Sequence, residues 1–187
     1  MKTTHFFYFF QPPEPHWYTT AEIFIYDKED RPMLIRVLLD NKIKISSIRN
    51  TALSQYWPDV REFEIHDSSN NYYERPCLYT KVGNASETEH HLVTFAIANN
   101  DQIPRNICTP VLSRQNYDAF YRFCYENKSP SADRIMNQRR KKWMRIDGIL
   151  GSNYFESFKI SYPISENLTQ KYKIMNSELG ALLISLK

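Results

Sequence analysis

Apolar and polar residues alternate along much of the first hundred positions. From Trp17 to Tyr26, Trp17, Thr19, Ala21, Ile23 and Ile25 fall on one side of an extended chain. Tyr18, Thr20, Glu22, Phe24 and Tyr26 fall on the other, the period of two that predicts a strand. Asp27 to Pro32 is charged and turn-like. Met33, Ile35, Val37 and Leu39 then share a face opposite Leu34, Arg36 and Leu38, which predicts a hairpin. Further strands are expected at Phe6 to Phe10, ended by Pro12, Pro13 and Pro15, and at Ile43 to Ile45, Arg61 to His66, Pro76 to Val82 and His91 to Ala98. Ser47 is expected to cap a helix carrying Ile48, Ala52, Leu53, Tyr56 and Trp57 that stops at Pro58.

After Asn99-Asn100-Asp101 the period lengthens. Ser113 precedes Tyr117, Phe120, Tyr121, Cys124 and Tyr125, whose spacing is that of one helix face. Ser129-Pro130 pairs an N-cap residue with a proline suited to a first helical position, so a second helix is expected to run towards Asp147 and end near Gly148. Tyr154 to Tyr162 alternates as a strand. Leu168, Tyr172, Met175, Leu179 and Leu182 step by four and three and suggest a closing helix, with Ala181 to Leu186 as an alternative strand. These elements predict an α+β fold: a mainly antiparallel sheet from the N-terminal half packed with a helical pair from the C-terminal half. Residues 1–187 are expected to form one domain, divisible at most into a β-rich part over 1–100 and a helical part over 101–187.

Composition narrows the function classes. The 187 residues include only 4 glycines, Gly83, Gly148, Gly151 and Gly180, too scattered to build a glycine-rich phosphate loop. The 3 cysteines, Cys77, Cys108 and Cys124, lack any Cys-x-x-Cys pair, so neither a disulfide framework nor a zinc site is expected, and a reducing compartment fits them. The apolar run after Lys2 meets Gln11-Pro12-Pro13 after five aromatics, too short for a secretory signal, and no stretch nears the roughly 18 apolar residues of a membrane span. A cytoplasmic protein without a membrane role is expected.

Charge is concentrated in one place. The net charge is +3, from 24 basic and 21 acidic residues. Between Arg134 and Arg145 lie six basic residues and no acid; without them the chain would hold 18 basic against 21 acidic residues. On the expected second helix, Ala132, Met136, Trp143, Ile146 and Leu150 form an apolar seam. Arg134, Gln138, Lys141 and Arg145 line another face, with Arg139, Arg140 and Lys142 beside them. Such a ridge suits a phosphate backbone, because neutralising phosphates releases condensed counterions, and nearby tyrosines could stack on bases. The plainer reading is a solvated surface helix, or one facing acidic groups.

Other candidates are weaker. His90 and His91 point to opposite faces of a strand and do not share an ion easily, so Glu87 to His91 reads as a polar loop. Asp59 with Glu62 and Glu64, or Asp147 with Glu156 and Lys159, lacks the spacing of a metal-dependent nuclease site. Arg61 and His66 have a ribonuclease-like spacing, but on a strand. No nucleophile elbow is present. The sequence thus points first to a non-enzymatic nucleic-acid-binding accessory protein, RNA or DNA, acting through Arg134, Gln138, Arg139, Arg140, Lys141, Lys142 and Arg145. No catalytic residue, metal or cofactor is expected. Second comes an interaction or assembly module meeting an acidic protein partner, and third a metal-dependent nuclease.

Overall fold

A computed structural model of the protein describes residues 14–54, 65–66, 76–84, 90–108, 112–132, 143–160 and 166–187. The expected hairpin is present: β1 (Trp17–Tyr26) pairs antiparallel with β2 (Pro32–Asp40), from Tyr18↔Asp40 to Tyr26↔Pro32. Its turn is built on Asp27, whose buried carboxylate accepts from the Glu29 and Arg31 amides, both at 2.9 Å, and from Arg31 Nε at 2.7 Å. Burial alone would raise the Asp27 pKa, but the bonds from Arg31 and Glu29 outweigh it and hold the carboxyl below the usual aspartate value. Stability from a depressed carboxylate is complete above the unfolded value, about 3.9, and is lost as pH falls through the folded one. Asp27→Asn is therefore expected to cost about 1.5–3 kcal/mol near pH 7, the worth of hydrogen bonds to a charged group. In urea unfolding across pH the gap should narrow as pH falls below the ordinary aspartate value and the folded-state carboxylate takes up its proton; a gap independent of pH would contradict this account.

The two strands continue into a closed barrel. β2 pairs parallel with β9 (Gly148–Leu150), which pairs antiparallel with β3 (Ser47–Arg49). β3 runs parallel to β6 (His90–Ala98), β6 antiparallel to β5 (Cys77–Gly83), and β5 returns to β1 at Phe24↔Gly83 and Ile25↔Val82. The α+β expectation is thus overturned: six strands, β1-β2-β9-β3-β6-β5, close on themselves, and strands dominate the chain. β4 (Ile65–His66) extends β5, while β12 (Gly180–Leu186), β11 (Tyr172–Ser177) and β10 (Glu166–Asn167) extend the sheet from the Trp17 end of β1. The main core takes Ile23 and Ile25 from β1, all four inward residues of β2, and Phe95 from β6.

The helical expectations fail for identifiable reasons. Ser47 opens a strand that takes Ile48, and a helix, α1 (Asn50–Ser54 among the described residues), begins after it with Ala52 and Leu53; Tyr56 and Trp57 lie outside the described residues, and Ile43 to Ile45 is not a strand. Ser129 and Pro130 start no helix. Pro130–Ala132 is instead an extended connector between β1 and β12, with Glu22 N donating to Ala132 O at 2.8 Å and Ala132 N to Ala181 O at 3.0 Å. Trp143–Arg145 forms β8, which pairs with β7 (Asn106–Cys108). The stretch from Ser152 to Lys159 is a 3₁₀ turn followed by further turns, so the strand expected from Tyr154 is absent there. The closing segment is the hairpin β11–β12, whose turn needs Gly180 at φ +111°. Its near-continuous apolar run arises because β12 is covered on both faces. Leu182 and Ile184 enter the main core, while Ala181 and Leu183 pack beneath α2 (Arg114–Glu126).

α2 is the helix whose start was legible. Ser113 caps it, its hydroxyl accepting from Asn116 N at 3.2 Å. Its buried face is rotated from the expected stripe: Phe120, Phe123 and Cys124 are buried, whereas Tyr121 and Tyr125 are 53% and 79% exposed. The strand expected at Phe6 to Phe10 lies outside the described residues.

Candidate functional site

The β7–β8 ribbon lies against the outer face of the barrel. Met144 faces inward, while Trp143 and Arg145 share the solvent face two residues apart, about 6.8 Å along a strand. Behind the ribbon, Leu38 of β2, Ile103, Ile146 and Ile149 form a separate small core joined by Ile107. That core holds the ribbon to the barrel.

Three arginines distant in sequence meet at the Arg145 end of the ribbon. Arg49, Thr51, Asn100, Arg105, Asn106 and Arg145 line an open pocket of about 300 Å³. Arg49 ends β3 and is only 3% exposed. Its guanidinium donates to three backbone carbonyls: Nε to Ile146 at 2.9 Å, Nη1 to Asn100 at 2.5 Å and Nη2 to Ile103 at 2.5 Å. A single side chain thereby ties β3 to the segment before β7 and to the β8–β9 connection. Burial lowers the Arg49 pKa from its ordinary value, and the neighbouring Arg145 and Arg105 charges lower it further, with Asp147 opposing. Arg145 Nε lies 3.4 Å from Asp147 Oδ1. The other Asp147 oxygen accepts from the Arg36 amide at 3.0 Å.

At the other end of the ribbon, Trp143 is 69% exposed. It borders a mostly apolar pocket of about 510 Å³ with Tyr18, Leu38, Ile43 and Ile107. An exposed indole beside such a pocket offers a flat surface for stacking. The ribbon thus carries a cationic hollow at one end and an aromatic wall at the other.

Of the residues expected to form a basic helix, Arg134, Gln138, Arg139, Arg140, Lys141 and Lys142 lie outside the described residues. Arg145 is described and belongs to a strand, so the helical ridge with Arg145 as its last member and the seam through Trp143, Ile146 and Leu150 do not form. Ile146 is buried under the ribbon, Leu150 lies in the barrel core and Trp143 faces solvent. Arg49 and Arg105 were missed because nothing local marks them: they stand 56 and 40 positions from the next member of the trio. Only the pairing of β7 with β8 and of β3 with β9 brings them together.

The weaker candidates separate in space. His90 Nε2 is 2.8 Å from the Tyr26 hydroxyl, and His91 Nε2 is 2.6 Å from Glu178. The same Glu178 pairs with Lys159 at 2.7 Å. Asp59, Glu62 and Glu64 lie outside the described residues. Among the described residues no group of three or more His, Cys, Asp or Glu side chains is placed to hold a metal ion, and no helix is long and apolar enough to cross a membrane. Cys77 and Cys124 are buried, which pushes both thiols up.

The class that fold and site define is a closed six-stranded β-barrel with a cationic pocket at one end of an external two-stranded ribbon. No protein-family model, curated protein or solved structure matches the chain.

Proposed function

We propose that this protein binds single-stranded nucleic acid on the face formed by the β7–β8 ribbon, phosphates lying along the arginines and a base stacking on Trp143. The observation that supports the reading is the sharing of one strand face by Arg145, a wall of a three-arginine pocket, and Trp143, a largely exposed indole. In sequence, the four basic residues Arg139, Arg140, Lys141 and Lys142 immediately precede this strand. Cationic grooves with interleaved aromatic rings bind single strands with little sequence preference, since every base offers a π-face. The role is non-enzymatic, that of an accessory factor in a nucleoprotein complex.

The test is a titration against labelled single-stranded RNA and DNA and duplex DNA at low and physiological salt. Binding should survive physiological salt, favour single strands and lose affinity linearly in log salt. Changing Arg139, Arg140, Lys141 and Lys142 to Gln should flatten the salt slope by about one for each phosphate contact removed. Trp143→Ala should weaken binding about five- to 150-fold, the worth of one stacked base. Absence of nucleic-acid binding together with a nuclease-resistant complex in cells would shift the assignment to an acidic protein partner.

A further inference from the structure

We infer that the pocket lined by Arg49, Arg105 and Arg145 is a discrete site for a phosphomonoester dianion, such as the terminal phosphate of a nucleic-acid strand. The inference rests on the proposed nucleic-acid role for the source of the phosphate, not for the site itself.

Charge points to the ligand. The lining holds three arginines and no carboxylate. Asp147, beside Arg145, offsets one positive charge and leaves two. Among the described residues no carboxylate pairs with Arg105. Arg49 carries its charge in the interior on three neutral carbonyls, an arrangement that neutralises nothing. A surface arginine ridge would be satisfied by water, whereas a buried guanidinium flanked by two more gains from an anion that brings its own charge. A phosphate monoester near neutral pH carries close to two negative charges, the number the pocket lacks.

Hydrogen-bonding chemistry agrees. Each terminal nitrogen of Arg49 has a second N–H beyond the one given to a carbonyl, and Arg105 and Arg145 add forked donors suited to phosphate oxygens. Thr51 Oγ1 donates to Asn100 Oδ1 at 2.9 Å, which orients the side-chain amide of Asn100, whose NH₂ is a further donor. Asn106 stands across from Arg145 in the ribbon and also lines the pocket. Arg49 is held rigidly by its carbonyl bonds, so part of the site is ordered before any ligand arrives.

The experiment compares one single-stranded RNA with a 5′-phosphate against the same RNA with a 5′-hydroxyl, for the full chain and for the Arg105→Gln/Arg145→Gln variant. Both substituted residues are exposed, and circular dichroism checks that the variant folds. In parallel, inorganic phosphate is titrated while the amide resonances of Thr51, Asn100 and Asn106 are followed. The expected result is an advantage of about tenfold or more for the 5′-phosphate, the size of one bidentate recognition, lost in the variant. Inorganic phosphate should shift the three amides in the wild type alone. If RNA fails to bind but inorganic phosphate shifts the amides in the wild type only, the pocket stands, its source is a small phosphorylated compound, and the nucleic-acid reading falls. RNA binding without any terminal-phosphate advantage and without phosphate-induced shifts overturns the pocket and leaves the nucleic-acid reading intact. An advantage or shift that survives in the double variant overturns it as well.

Discussion

Replacing Gly151 by alanine is expected to lower stability by about 3 kcal/mol or more, at the upper end of what overpacking costs. A Cβ at this position would lie 2.1 Å from the Lys44 carbonyl oxygen and 2.6 Å from its carbon, with the Ile45 carbonyl carbon at 2.8 Å. All three are backbone atoms, so no side chain can rotate away. The two segments are also stitched together: Gly151 N donates to the buried Ser46 hydroxyl at 2.8 Å, and Ser152 N to Ile43 O at 2.8 Å. Relief requires shifting the segment that leads into β3, and β3 with β9 forms one of the seams that close the barrel. For a protein whose total stability is about 5–15 kcal/mol, such a loss is a large fraction. Thermal unfolding should show a midpoint lower by about 6–12 °C. The control is Gly83→Ala, where the nearest atoms belong to the His90 and Tyr26 side chains, which can move aside. Equal behaviour of the two variants would contradict the steric account. Gly151 has φ −71°, an ordinary extended value, so its requirement is for space and not for a special backbone conformation.

The second large effect is expected at Arg49. Arg49→Met removes the donor to three carbonyls, those of Ile103 and Ile146 in buried surroundings and that of the exposed Asn100. Each buried acceptor left without a partner costs about 1–3 kcal/mol, and the lost charge repulsion with Arg105 and Arg145 returns part of this. A net cost of about 3 kcal/mol by urea unfolding is the expected outcome. Arg49→Lys should recover only a fraction, because one compact ammonium cannot reach carbonyls spread around a planar fork. A lysine variant as stable as the wild type would show that charge, not the three-way geometry, matters there. Amide exchange of residues 100–105 should quicken in both variants, since Arg49 holds this segment to the barrel.

What could be read along the chain was whatever neighbouring residues specify together. The alternation in Trp17 to Tyr26 and in Met33 to Leu39 predicted the β1–β2 hairpin and its inward face, because a half-buried strand must repeat every two residues. Ser113 marked the start of α2, since an N-cap hydroxyl satisfies an amide three positions on. The concentration of positive charge between Arg134 and Arg145 is likewise a property of the sequence alone.

What the tertiary structure decided was everything that depends on distant partners. Ser129-Pro130 looks like a helix start, yet the amide of Ala132 finds Ala181 and its carbonyl finds Glu22, so the connector stays extended. The stepped pattern through Leu168 to Leu182 imitates a helix, yet its residues fall on separate elements: Leu168 before β11, Tyr172 and Met175 in β11, Leu179 in the turn and Leu182 in β12. Gly148 looks like a helix stop but serves as a strand residue, where a Cβ would meet the Ser47 carbonyl at 2.7 Å. The trio Arg49, Arg105 and Arg145 exists only once the barrel closes and the ribbon docks on its wall. Local periodicity and capping depend on contacts within a few residues, whereas closure, covered faces and convergent charges are set by pairings across a hundred residues, which no short window of sequence contains.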